Sequence, residues 1–174
     1  RFGEEQKNAD GRDIQKMVEI IKATITHLSD VQLLNNKLFE TEWYSGFDDT
    51  IQVGWSLSDV GKAYFADMIT NHSTYIAMQD NEIIGYLSGS FPEKESYVTE
   101  NYAEINNMYV LDTHQHQGIG SKLVDAFKKE CLAKNICAIK VTASTKNLKA
   151  LAFYEKSGFE SCNITLKYKR SAKE

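Results

Sequence analysis

The sequence predicts an α+β fold, a mixed and mostly antiparallel central sheet flanked by helices, in the order β-α-α-β-β-β-α-β-α-β. Three observations predict it. Two extended apolar runs meet at Asp80-Asn81, and both residues tolerate the positive φ of a tight hairpin turn, so antiparallel pairing sits mid-chain. A strand, a helix and another strand then follow over about residues 103–143, which implies a parallel neighbour reached by a crossover. Helical and extended periodicities alternate along the rest without repeats or linkers.

Taken in order, the β-branched run 17–25 (MVEIIKATI) predicts the first strand. Ser29-Asp30-Val31-Gln32 fits a capping box, and Val31, Leu34, Leu38 and Phe39 follow as a helix stripe. The aromatic and acidic stretch from Glu40 to Asp49 is expected to be the loop that ends this helix. Ser58 opens a second helix to about Thr70, with Val60, Ala63, Tyr64 and Met68 expected inward. Residues 73–79 and 82–91 form the hairpin strands, 92–102 a polar loop around the single proline Pro92, and 103–110 a further strand. From Gly118 to about Lys134, Ile119, Leu123, Val124, Phe127 and Cys131 share one face and Lys122, Asp125, Lys129 and Glu130 the other. Residues 137–143 read as a strand, Asn147–Ser157 as a short helix closed by Gly158, and 159–169 as a last strand. Residues 1–16 are polar and aperiodic. They are expected to be an extension, native or added, with Met17 a natural start and 17–174 one domain.

With 42% hydrophobic and 25% charged residues the chain has a globular composition, and no apolar run approaches the roughly 20 residues of a membrane span. A net charge of −4 argues against nucleic acid or an anionic membrane as partner and permits a cationic one. Cys131, Cys137 and Cys162 are odd in number and lack C-x-x-C spacing, so no disulfide framework is expected and a cytoplasmic setting fits.

The chemically informative segment runs from Tyr109 to Lys122, where a strand passes through a short loop into a helix that opens on Gly118-Ile119-Gly120. The first amides of a helix have no internal partner, the helix dipole adds positive charge there, and glycine removes the Cβ that would hold a diphosphate away. The spacing is not that of a P-loop, and a dinucleotide fingerprint would need glycine where Leu123 stands. His114 and His116 form an H-x-H pair without the further ligands a metal site needs.

Gln115-x-x-Gly118-x-Gly120 resembles the Q/R-x-x-G-x-G/A motif of the GNAT superfamily, which grips the pyrophosphate of coenzyme A. Asn147-Leu148-Lys149-Ala150-Leu151-Ala152-Phe153-Tyr154-Glu155-Lys156-Ser157-Gly158-Phe159 resembles its N-x-x-A-x-x-x-Y-x-x-x-G-F segment. The resemblance covers about residues 17–169 and is sharp over 104–159. It implies acetyl-CoA as co-substrate with no metal, and an N-acetyltransferase acting on an amine. The amides of Gln115, His116, Gln117, Gly118, Ile119, Gly120 and Ser121 would bind the diphosphate. The edge of Met108, Tyr109 and Val110 would pair with pantetheine, and Asn147 would contact the cofactor.

Amine acylation needs a free amine, a polarised carbonyl and a proton for the departing thiolate. Tyr154 suits the last role, since a phenol of pKa about 10 stays protonated at neutral pH, and the resemblance implies it as general acid. A strand amide over Met108–Val110 would meet the oxyanion. Glu104 is a candidate base, with ordered water the alternative. The resemblance also implies an acceptor site built from Glu40–Asp49 and Glu93–Glu100. Both segments join carboxylates to aromatics, as a cationic small molecule or a peptide amine would require, and a solvated acidic loop fits them equally. A homodimer is left open. The competing class is a non-catalytic acyl-CoA sensor, which would need the cradle but neither Tyr154 nor Glu104.

Overall fold

The structure, a computed structural model, describes residues 17–94 and 96–168. The segment 1–16 expected to be an extension lies outside them. Five strands form one sheet in sequence order: β1 (Glu19–Lys22), β2 (Ser73–Gln79), β3 (Glu82–Ser90), β4 (Tyr102–Val110) and β5 (Ala138–Val141). The first three pairings are antiparallel and β4–β5 is parallel. The helices are α1 (Leu28–Tyr44), α2 (Asp59–Thr70), α3 (Ile119–Ala133) and α4 (Leu148–Lys156). The mixed, mostly antiparallel sheet flanked by helices is therefore the fold expected.

Local chemistry accounts for the elements. Asp80 and Asn81 turn the β2–β3 hairpin at φ 51° and 65°, the left-handed region those side chains tolerate. The Ser58 hydroxyl accepts the Gly61 N–H at 3.2 Å and so caps α2. The Asn147 side chain does the same for α4 through the Ala150 N–H at 3.0 Å, and Gly158, at φ 84°, ends that helix.

Two apolar layers cover the sheet. On one face Ile119, Leu123, Val124, Phe127 and Cys131 of α3 bury against Ala77, Ile84, Leu87, Ala103 and Ile105. Gly89 is required here, because a Cβ would run into the Phe127 ring. On the other face α1 and α2 pack Val31, Leu34 and Phe65 against Ile76, Tyr86 and Tyr109. That layer holds a buried polar network. Asn35 Nδ2 donates to Tyr86 Oη at 2.6 Å, Ser56 Oγ donates to Asn35 Oδ1 at 2.5 Å, and Gln32 Nε2 donates to the Ser56 carbonyl at 2.6 Å.

Several local expectations are corrected. Strand β1 covers only Glu19–Lys22, since a 3₁₀ turn over Ile25–His27 follows, in which the Thr24 N–H donates to His27 Nδ1 at 3.0 Å. The helix thus begins ahead of Ser29, and Gln32 is drawn to Ser56 instead of reaching back as a capping residue. Residues Glu40–Tyr44 are the last turn of α1, not a loop. The helix stops at Gly46, φ 66°, one residue past its cap Ser45. In α2 the inward face is Phe65 and Met68 with Tyr64, while Val60 is 65% exposed and Ala63 also faces water.

The expected last strand is absent over 159–168, and residue 169 lies outside the described residues. Alternation alone does not make a strand without a partner backbone. Ile164, Leu166 and Tyr168 are consequently 80%, 91% and 91% exposed.

Candidate functional site

The site is built where β4 and β5 part. Their register runs from Tyr102↔Ala138 to Ile105↔Val141 and stops there, so Asn106–Val110 have no β5 neighbour. The β3–β4 register also slips at this point: Ser88 faces Asn107 and Gly89 faces Ile105, leaving Asn106 as the extra residue of a bulge. A bulge bends its strand and re-aims side chains. The opened edge is the one expected to receive pantetheine at Met108, Tyr109 and Val110.

The phosphate loop lies at the end of that edge. After a 3₁₀ turn over Asp112–His114, His116 and Gly118 take positive φ of 62° and 78°. Gly118 caps α3, and the first closed helical bond is Lys122 N–H to the Gly118 carbonyl at 3.1 Å. The amides of Ile119, Gly120 and Ser121 therefore stand at the helix mouth without intrahelical partners. Nothing lies within 4 Å of where a Gly118 Cβ would be, so the mouth is open. A diphosphate fits such a mouth. The Gln115 side chain does not reach out. Its Nε2 donates to the Val110 carbonyl at 3.0 Å and to Asp112 Oδ1 at 2.8 Å, and this closes the loop on the end of β4. Gln117 likewise donates to the Thr113 carbonyl at 3.3 Å. Asn147 commits its Oδ1 to capping α4.

Helix α4 is brought against this mouth. A Cβ on Gly120 would stand 3.2 Å from the Phe153 ring and 4.0 Å from Met108 Cε, so β4, α3 and α4 converge there. Tyr154 is the next residue of α4. Its ring packs edge-on against Phe153 and Phe159 at centroid separations of 5.1 and 5.4 Å. Burial pushes its hydroxyl well above the ordinary phenol range, and the Glu42 carboxylate pushes it further.

The two catalytic candidates have different neighbours. Glu104 lies on β4 between Ser90 and Lys140, and its charge acts on the Tyr64 hydroxyl of α2. Tyr64 is raised first by burial, and the Asn107 side chain beside it works the other way. The carboxylate that acts on Tyr154, and also on the buried Tyr86 hydroxyl, is Glu42 of α1. Sequence reasoning placed Glu42 in the acceptor stretch without singling it out. It also missed Tyr64 and Asn107, whose approach depends on the α2 phase and the β4 bulge.

Of the acceptor stretch, Asp48 accepts from Thr50 N and Oγ1 at 2.8 and 2.5 Å, and Asp49 pairs with Lys167 at 2.7 Å. The thiols of Cys131, Cys137 and Cys162 are free. Among the described residues no three His, Cys, Asp or Glu side chains converge as a metal site, and no helix is long and apolar enough to cross a membrane.

A parted sheet edge leading to an open helix mouth suits a carrier that bears both amides and a diphosphate, and comparison with known proteins agrees. The profile of the acetyltransferase (GNAT) family matches residues 37–159. The chain belongs to the GNAT family of acetyltransferases.

In sequence it is similar to the uncharacterized protein YxbD of Bacillus subtilis (strain 168), 31% identical over 80 residues, 46% of this chain and 45% of that protein. It is also similar to a streptothricin acetyltransferase of Escherichia coli, 26% identical over 113 residues, 64% of this chain and 62% of that protein. The chain thus spans less than two thirds of either relative's length. In fold it is similar to the aminoglycoside N-acetyltransferase AAC(6')-Iy in complex with CoA, at TM-score 0.70 and 19% identity, covering 90% of this chain and 97% of that one. A mutant of the BH1408 protein from Bacillus halodurans superimposes at TM-score 0.77 and 18% identity over 87% and 99% of the two chains. An aminoglycoside acetyltransferase from an uncultured soil metagenomic sample, in complex with sisomicin, does so at 0.66 and 21% over 90% and 97%.

Proposed function

We propose that the protein moves an acetyl group from acetyl-CoA to a primary amine by direct attack, within the cytoplasm. The observation that carries this reading is the meeting of the open α3 mouth with α4 at Gly120 and Phe153, beside a Tyr154 held firmly protonated. The amides of Gln115–Ser121 hold the diphosphate of the co-substrate. Met108, Tyr109 and Val110 align its arm along the parted strand, an amide there meets the developing oxyanion, and Asn147 contacts the cofactor. Tyr154 gives its proton to the departing thiolate. A carboxylate beside the acceptor, with Glu104 of β4 one candidate, or an ordered water removes the amine's proton.

The acceptor is a cationic small molecule or a peptide amine. Carboxylates and aromatics border the end of α1, and relatives bear the names of streptothricin and aminoglycoside acetyltransferases. Thiol release from acetyl-CoA against a panel of amines tests the reading. Wild type should turn over a cationic amine, and Tyr154→Phe should lose about 10²- to 10⁴-fold in kcat. Equal turnover by both proteins removes Tyr154 as the acid. Silence on every amine favours a non-catalytic acyl-CoA sensor.

A further inference from the structure

Resting on the acetyltransfer reading, we propose that the Glu42 carboxylate is the group that receives the acceptor's ammonium and takes its first proton. Four acids lie along the end of α1, and three are engaged. Glu40 accepts from Asn36 at 2.8 Å, Asp48 from Thr50, and Asp49 from Lys167. Glu42 is half-buried, and among the described residues no Lys, Arg or His pairs with it. The charged neighbour that does act on it is another carboxylate, Asp48. A half-buried carboxylate without a counter-charge is costly, and an incoming ammonium supplies that charge.

Backbone hydrogen bonds brace the position. Glu42 sits on the last turn of α1, where the chain reverses at Gly46 and both Phe47 N–H and Asp48 N–H donate to the Glu42 carbonyl, at 2.9 and 3.4 Å. That reversal is tied to the loop before α4. Ser144 Oγ donates to the Phe47 carbonyl at 2.8 Å, and Lys146 Nζ donates to the Gly46 carbonyl at 3.1 Å. The end of α1 is thus held against the start of the helix that carries Tyr154. The Glu42 charge is felt at the Tyr154 hydroxyl, whereas that of Glu104 is felt at Tyr64.

The ammonium gives one proton to a Glu42 oxygen and keeps a lone pair on nitrogen. That pair attacks the thioester carbonyl carbon, the C–N bond forms, and the carbonyl π pair moves to oxygen. When that pair returns, the C–S bond breaks with its electrons on sulfur. Tyr154 gives its proton to sulfur, the surplus N–H proton passes to the Tyr154 oxygen, and Glu42 releases its proton to water. Ammonium and thioester become amide, thiol and one proton.

The test follows kcat/KM against pH with acetyl-CoA and three probes: sisomicin, spermine and a peptide with a free N-terminus. Wild type, Glu42→Gln, Glu42→Asp and Glu104→Gln are compared. Glu42→Gln should lose about 10²-fold or more together with the acidic limb of the profile, and Glu42→Asp should keep an intermediate rate. Glu104→Gln should keep the acidic limb that Glu42→Gln loses, whatever its rate, and acetyl-CoA should bind every variant within about twofold of wild type. Glu42→Gln within about threefold of wild type with its acidic limb intact overturns the assignment. A raised amine KM with that limb intact overturns the proton transfer. A wild type silent on all three probes defeats the acetyltransfer reading itself, and the role of Glu42 with it.

Discussion

The Phe153 ring lies where it would crowd any side chain at Gly120: a Cβ there would stand 3.2 Å from two ring carbons. This contact holds the second turn of α4 against the first turn of α3. Two effects compete in Gly120→Ala. Alanine gains about 1 kcal/mol of helix propensity over glycine, while overpacking a fixed contact costs about 1–3 kcal/mol. Net stability should therefore fall by at most about 2 kcal/mol, or roughly 8 °C in Tm. The ring must shift, and α4 with it, so the KM for acetyl-CoA should rise severalfold. Calorimetry and steady-state kinetics on the same variant check the two halves. An unchanged KM would show that the contact does not set the mouth.

Gly118 presents the opposite balance. Its Cβ would meet nothing, but its φ of 78° is strained for any L side chain. Gly118→Ala should destabilise by about 1 kcal/mol or more through the backbone alone. The new methyl would also project into the open space at the helix mouth, so acetyl-CoA affinity should fall as well. Denaturant melts and cofactor titration separate the two losses.

Tyr154 ties activity to stability at high pH. Burial, and then the Glu42 charge, raise its hydroxyl above the ordinary phenol range. The group therefore remains an acid through pH about 10, where an unperturbed tyrosine is half ionised, and kcat should show no alkaline limb from it there. The stabilisation held by a neutral Tyr154 is complete below the unfolded pKa of about 10 and is lost as pH rises from there toward the raised folded value. Tm should drop less steeply above pH about 10 in Tyr154→Phe than in wild type. Parallel slopes would remove the burial argument.

Much of this architecture can be read from local chemistry. Asp80-Asn81, Ser58, Asn147 and Gly158 each act through their own few residues, and the α3 stripe from Ile119 to Cys131 buries as its period requires. The end of α1 is legible too, in Gly46, but the acidic and aromatic composition of Glu40–Tyr44, with Thr41, Trp43 and Tyr44 only middling helix formers, masks the helix that runs through them. Non-local features stayed hidden. Tyr64 meets Glu104 and Asn107 only because α2 buries Phe65 and Met68 and so fixes its phase. The Asn106 bulge arises from β3–β4 pairing, not from any composition in β4. The missing strand over 159–168 shows the same limit, since alternation specifies faces but supplies no neighbour.

The buried network behind the site should be a stability device. Asn35 is fully buried and bridges Ser56 Oγ and Tyr86 Oη. Asn35→Ala orphans two buried hydroxyls, at a cost of about 2–4 kcal/mol, or roughly 5–12 °C in Tm. Tyr86→Phe leaves only the Asn35 amide without its acceptor and should cost about half as much. Equal losses in the two variants would mean that the Ser56 bond contributes nothing.

The pH dependence of turnover should report on Asp48. Glu42 lies above the usual carboxylate range, first through burial and second through the Asp48 charge. Asp48 is itself held low, chiefly by Thr50, so it is ionised wherever Glu42 titrates. Only ionised Glu42 can take a proton, so kcat/KM should climb with pH through the raised Glu42 value. Asp48→Asn removes the second cause and leaves the first, and the amide oxygen it introduces can still accept from Thr50. The acidic limb should then move to lower pH without vanishing, and added salt, which screens the Asp48–Glu42 repulsion, should move it the same way in wild type. A limb that stays in place in Asp48→Asn but disappears in Glu42→Gln would place Asp48 outside the electrostatics of the site. A limb that survives both substitutions belongs to another group altogether.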